Sequence, residues 1–171
     1  MALEGCIPIT TRQIRLNEKE GIDYNFVSVD DFQTSIVNGL VTEWDYCLDN
    51  YYGYDYTFDG TLAGITHGLS RMALRIKKKH ENDVVTVFLK PKSIDSIYLT
   101  LDKIYTGKML ELRKDLVKEE LIHSKMFDYV FEVDGNVKEL LLNKEFLNIL
   151  ENEQSNCLPR TTGSMSPTTF G

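Results

Sequence analysis

Residues 23–28 read Asp-Tyr-Asn-Phe-Val-Ser, with Tyr24, Phe26 and Ser28 alternating against Asn25 and Val27. A period of two predicts a strand. Residues 7–11 form a shorter apolar, β-prone segment ahead of it. The period then changes. Ser28 is followed by an acid at Asp31, a helix N-terminus signal. Phe32, Ile36 and Val37 supply the apolar face, and Gly39 stops the helix. Residues 40–46 and 50–58 are rich in β-branched and aromatic residues, and the Leu48-Asp49-Asn50 segment between them predicts a hairpin turn.

Residues 59–68 carry Gly60, Gly64 and Gly68, which predicts loop with a short strand. A helix is expected over 70–79, with Met72, Ala73, Leu74 and Ile76 inside it. Its last turn, Lys77-Lys78-Lys79, suits the negative end of the helix dipole and reads as a solvated helix end. Residues 84–89 (Val-Val-Thr-Val-Phe-Leu) form a near-continuous apolar run, the mark of a strand buried on both faces of a parallel sheet. Ser93 caps a helix to about Ile104, a long charged helix covers 108–126, a strand covers 127–133, and a last helix covers 136–150. Residues 155–171 are polar and read as a disordered tail. Strands alternating with helices predict an α/β sheet with covering helices.

The 171 residues suit one domain, and 42% hydrophobic residues suffice for a core. The net charge of −7 argues against a nucleic-acid or anionic-membrane partner, yet leaves room for a local basic pocket for one phosphate. Cys6, Cys47 and Cys157 show neither metal spacing nor a disulfide framework, which fits a reducing compartment. No signal peptide and no apolar stretch of spanning length is read, so a cytoplasmic protein is expected. His67, His80 and His123 show no metal spacing, and a lone histidine such as His67 is more often structural than catalytic.

One group of residues carries chemistry. Arg12 and Arg15 lie three apart in a segment without helical periodicity, and two converging guanidinium forks can hold a phosphate. Tyr24 and Tyr52 offer hydroxyl donors without charge, and Glu43 is an acid on a strand otherwise apolar and aromatic. Each has a plainer reading: solvated loop arginines, half-buried strand tyrosines, and an acid at the sheet edge.

In order and spacing the group resembles the guanylate kinase family. The matching stretches are Thr10-Thr11-Arg12-Gln13-Ile14-Arg15, then Glu18, Gly21, Asp23-Tyr24-Asn25-Phe26, Glu43-Trp44 and Asn50-Tyr51-Tyr52-Gly53. The resemblance covers residues 6–150, more loosely in the second half. It implies a guanylate kinase-like α/β domain with a parallel sheet core, covering helices and a small β-rich GMP-binding subdomain at about 10–58. A lid-like helical region would occupy about 105–125. The resemblance implies that Arg12, Arg15, Tyr24 and Tyr52 hold the phosphate of GMP and that Glu43 reads the guanine. Arg113 is a candidate match to a lid arginine that touches phosphates, set against a solvated helix face.

The chain also departs from the family. No Gly-x-x-x-x-Gly-Lys-Ser/Thr run occurs, so the family's first strand and phosphate loop are expected to be absent. Pro8 stands where the family has serine, Tyr54 where a small hydroxyl residue follows Asn-Tyr-Tyr-Gly, and residues 62–68 lack the family's acid, with His67 in place of a glutamine. Three readings follow. The first is a guanine-nucleotide binder, a pseudokinase that cannot transfer phosphate alone. The second is a true guanylate kinase whose ATP and Mg2+ depend on a phosphate loop supplied elsewhere. The third is a phosphopeptide-binding module. A protein partner or dimer is expected to cover the sheet edge left open by a missing strand.

Overall fold

A computed structural model of the chain describes residues 4–5, 7–54, 64–80, 83–134 and 137–156. The order is β1 (Glu4–Gly5), β2 (Ile9–Thr10), β3 (Asn25–Phe26), α1 (Val29–Val37), β4 (Glu43–Cys47), β5 (Asn50–Tyr54), β6 (Gly64–Ile65), α2 (Ser70–Lys79), β7 (Val87–Pro91), α3 (Ile94–Ile104), α4 (Gly107–His123), β8 (Tyr129–Val133) and α5 (Lys144–Asn156), with 3-10 turns at Ser124–Met126 and Val137–Leu142. The strands form a four-stranded mixed sheet in the order β3-β2-β5-β4 and two parallel pairs, β1-β6 and β7-β8.

The four-stranded sheet follows from strong local signals. The Ser28 hydroxyl accepts from the Asp31 N–H at 3.1 Å and opens α1. Gly39, at φ 70°, takes the left-handed conformation that ends it. Leu48 and Asp49, at φ 49° and 62°, form the two-residue hairpin turn between β4 and β5. Only Phe32 of the predicted helix face is fully buried. Its ring stacks on Tyr51 with centroids 5.2 Å apart, while Val37 is left 85% exposed.

Gly53 lets α1 approach. A Cβ there would lie 2.7 Å from Val41 Cγ1, 3.0 Å from Phe32 Cζ and 3.1 Å from the Glu43 carbonyl oxygen. Gly53→Ala is expected to destabilise the protein by about 1–3 kcal/mol, the usual range for overpacking, read as a lowered urea midpoint at unchanged slope.

Two buried clusters complete the core, one on this sheet and one beyond it. Tyr54, Met72, Ile76 and Val84 join β5 to α2. Phe131, Leu140 and Ile149 pack with Val87, Val133 and Phe146 beneath the β7–β8 pair.

The structure departs from the sequence expectations in several places. A strand, β1, precedes residue 7 and pairs with β6. The apolar run at 84–89 is not a strand throughout. Thr86 gives its N–H and its hydroxyl to Asp128 Oδ2, at 2.9 and 2.8 Å, so strand pairing starts only at Val87. Among the described residues β7 pairs with β8 alone, and Leu89 is 39% exposed, so it is not a strand buried on both faces. The last helix is broken, because the Asn143 side chain accepts from the Phe146 N–H at 3.1 Å and caps α5. α5 runs to Asn156, two residues into the segment read as a tail; the rest of that segment, and the strand expected beyond Tyr54, lie outside the described residues.

Candidate functional site

Two threonines anchor the loop that carries the arginines. The fully buried Thr10 donates its hydroxyl to the Tyr51 carbonyl at 2.8 Å and accepts from the Arg12 N–H at 3.2 Å. Thr11 Oγ1 accepts from the Tyr51 N–H at 2.9 Å, and the Thr11 N–H donates to the Tyr51 carbonyl at 3.1 Å. Arg12 therefore leaves the sheet from a position fixed by four hydrogen bonds.

The Arg12 guanidinium grips the Glu18 carboxylate through Nη1 and Nη2, at 2.9 and 2.8 Å. It also donates to the Gln13 carbonyl at 2.8 Å and lies 5.2 Å from the Tyr24 ring centroid and 5.6 Å from that of Phe26. Arg15 joins through the same carboxylate. Its N–H donates to Glu18 at 2.9 Å, and its guanidinium stands 3.8 Å away with its side chain 58% exposed. The hydrogen bonds from Arg12 hold the Glu18 carboxyl below the usual range and raise the arginine further above its own.

Tyr24 and Tyr52 meet edge to face, with ring centroids 6.4 Å apart. Burial pushes the Tyr52 phenol up, so it stays a neutral O–H donor. The Tyr24 hydroxyl lies 3.2 Å from His67 Nε2.

Glu43 lies on the same face of the sheet. Asp45 and Thr10 stand directly opposite Tyr52, and Glu43 stands opposite Tyr54. Cross-strand partners share a face and alternate along each strand, so Thr10, Glu43, Asp45, Tyr52 and Tyr54 point one way. Trp44, Tyr46 and Tyr51 point the other way, toward Phe32. The Glu43 side chain is only 12% exposed, not the open edge acid of its plainer reading, and its Oε1 accepts from Lys79 Nζ at 2.9 Å.

The sequence reading missed this second row of contacts. Arg71, Arg75 and Lys79 lie at i, i+4 and i+8 on α2, and Glu43 and Asp45 at i and i+2 on β4. Four helical residues rise about 6 Å and two strand residues about 6.6 Å, so the rows stay in step. Arg71 and Arg75 reach Asp45 at 3.3 and 3.6 Å. Arg75 also donates to the Trp44 carbonyl. The expected solvated lysine end is thus corrected: Lys77 pairs with Asp128 and Lys79 with Glu43. The i+4 spacing of α2 cations was the available signal.

Arg113 stands outside the arginine–tyrosine cluster. Its guanidinium lies 3.9 Å over the Tyr105 ring.

Among the described residues no helix is long and apolar enough to cross a membrane. The family model described as Guanylate kinase matches residues 2–58. The guanylate kinase of Chlorobaculum tepidum is 32% identical over 138 residues, 75% of this chain and 70% of that protein. That of Wolbachia pipientis is 30% identical over 161 residues, 87% and 80%. The guanylate kinase of Mycoplasma pneumoniae is 30% identical over 152 residues, and the chain spans only 59% of its length. The crystal structure of guanylate kinase from Anaplasma phagocytophilum superimposes with a TM-score of 0.68 at 21% identity, over 92% of this chain and 77% of that one. The β1–β6 and β7–β8 parallel pairs, the mixed sheet and the helices packed beside them are those of a guanylate kinase-like α/β fold, and the chain belongs to the guanylate kinase family.

Proposed function

We propose that the chain binds GMP, with Arg12, Arg15, Tyr24 and Tyr52 on the phosphate and Glu43 on the guanine. The observation that carries this reading is the convergence of Arg12 and Arg15 on one carboxylate, Glu18, which takes Nη1 and Nη2 of Arg12 and the Arg15 N–H, beside the Tyr24–Tyr52 pair. Glu18 and the Gln13 carbonyl take three of the five Arg12 guanidinium donors and fix its plane, and the other two N–H groups, on Nε and Nη2, form the fork a phosphate requires. Glu43 favours a nucleotide over a phosphopeptide, since a phosphopeptide site has no need of an acid that reads a guanine edge. The relatives' name, guanylate kinase, supports the same ligand.

Phosphoryl transfer is assigned to no residue of this chain. Nothing in the 171 residues matches the loop that would cradle ATP, so ATP and Mg2+ would depend on a phosphate loop from outside them. The residues above act on the acceptor nucleotide: they bind and orient its phosphate and read its base.

The test is a calorimetric titration of the whole chain with GMP, AMP and inorganic phosphate. Saturable GMP binding at least about tenfold tighter than AMP is expected, because a carboxylate facing adenine loses its partners. Equal affinity for the two nucleotides would remove the guanine reading. Absence of GMP binding in a folded sample would overturn the site.

A further inference from the structure

We propose that Lys79 reads the guanine together with Glu43, its ammonium donating to the 6-oxo group while the carboxylate accepts from N1–H and the 2-amino group. This rests on the GMP reading above and goes beyond it in naming a residue and an atom of the base.

Guanine's pairing edge presents, in order, an acceptor and two donors: the 6-oxo oxygen, N1–H and the 2-amino group. A lone carboxylate can meet only the two donors. The structure sets a donor beside it. Lys79 Nζ lies 2.9 Å from Glu43 Oε1, so a ligand edge that met both side chains would face an ammonium and two carboxylate oxygens in a row. That row is the complement of the guanine edge.

The supply of hydrogen bonds suffices. An ammonium has three donors, and Glu43 uses one; a carboxylate oxygen has two lone pairs, so Oε1 can accept from N1–H while keeping Lys79. The Lys79 side chain is 56% exposed and can turn its remaining donors to a ligand, whereas Glu43, at 12% exposed, is held in place. Lys79 is also the α2 cation of this row with no part in Asp45, which Arg71 and Arg75 share. Tyr54, next along β5 from Gly53, is 2% exposed in the core with Met72 and Ile76, so its hydroxyl is no competitor for the base.

Adenine meets this row wrongly at two points. Its 6-amino group faces the ammonium, and its unprotonated N1 faces the carboxylate. Lys79 therefore sharpens the choice that Glu43 begins.

A rival role exists for the same contact: Lys79 could merely neutralise Glu43 until guanine displaces it. The two roles predict opposite signs. The experiment is a titration of wild type, Lys79→Met and Lys79→Arg with GMP and with 6-thioguanosine monophosphate, which keeps both donors and replaces the oxo oxygen with a poor sulfur acceptor. Wild type is expected to prefer GMP over the thio analogue by about tenfold, the usual worth of a hydrogen bond to a charged group. Lys79→Met is expected to lose about that factor on GMP and little on the analogue, so the preference collapses. Lys79→Arg, which keeps a donor, retains part of it. GMP affinity that is unchanged or tighter in Lys79→Met, or an equal loss on both nucleotides, overturns the proposal while leaving the site intact. A wild-type chain that binds no GMP overturns the site reading and this proposal with it.

Discussion

Arg12→Ala is expected to weaken GMP binding by about two to four orders of magnitude, the largest loss of any single change in the site. A bidentate contact to a phosphate contributes two charge-assisted hydrogen bonds of about 1.5–3 kcal/mol each, and both go with the side chain. The loss should exceed that of Arg15→Ala. Arg12 leaves the sheet beside the buried Thr10, while Arg15 is 58% exposed and gains less from a low local dielectric. Arg12→Lys should not rescue, because a point charge cannot reproduce the fork. Calorimetric titration with GMP, with circular dichroism confirming the fold, measures this. A loss under about fivefold in a folded variant would take Arg12 out of the phosphate contact.

Removing Arg12 also leaves Glu18 without its main partner, so part of any loss could come from a disordered loop. The double variant Arg12→Ala/Glu18→Gln separates the two effects. If the loop is at fault, neutralising Glu18 restores affinity; if the fork contacts phosphate, it does not. The second outcome is expected, since Lys19, Gly21, Asp23 and Tyr24 close the loop with hydrogen bonds of their own.

The parts of this fold that the sequence makes legible are those held by neighbours in the chain. Ser28 caps its own helix, Gly39 ends it, and Leu48-Asp49 turns the hairpin, so these elements can be read from residues within one turn of each other. The arginines, tyrosines and Glu43 stand out in the sequence only through the order and spacing they share with the guanylate kinase family. What escapes is decided at long range or by one side chain's choice of partner. Asp128 takes the N–H and hydroxyl of Thr86 from 42 residues away, delaying a strand that composition alone starts earlier. Asn143 caps rather than continues a helix, although its neighbours are good helix formers. The pairing of Lys79 with Glu43 spans 36 residues and exists only because α2 lies along β4. Charge on a helix end looks solvated until the facing strand is known.

Glu43→Gln is expected to reduce the preference for GMP over AMP by about a hundredfold while leaving the affinity for inorganic phosphate within about twofold. The change is nearly isosteric, so its effect lies in the hydrogen-bond pattern. A carboxylate has two acceptor oxygens for guanine's two donors; an amide has one acceptor and turns an NH2 toward the other donor. That NH2 suits adenine's N1, so AMP should gain as GMP loses. The neutral side chain also loses the charge that holds Lys79 at 2.9 Å. The two effects differ in what they do to IMP, which keeps the 6-oxo group and N1–H but lacks the 2-amino group. If Glu43 holds both donors, the wild-type preference for GMP over IMP disappears in Glu43→Gln. If Glu43 serves only to place Lys79, GMP and IMP weaken together and their ratio stays. Persistence of the GMP-to-AMP ratio in Glu43→Gln would show that another residue reads the base.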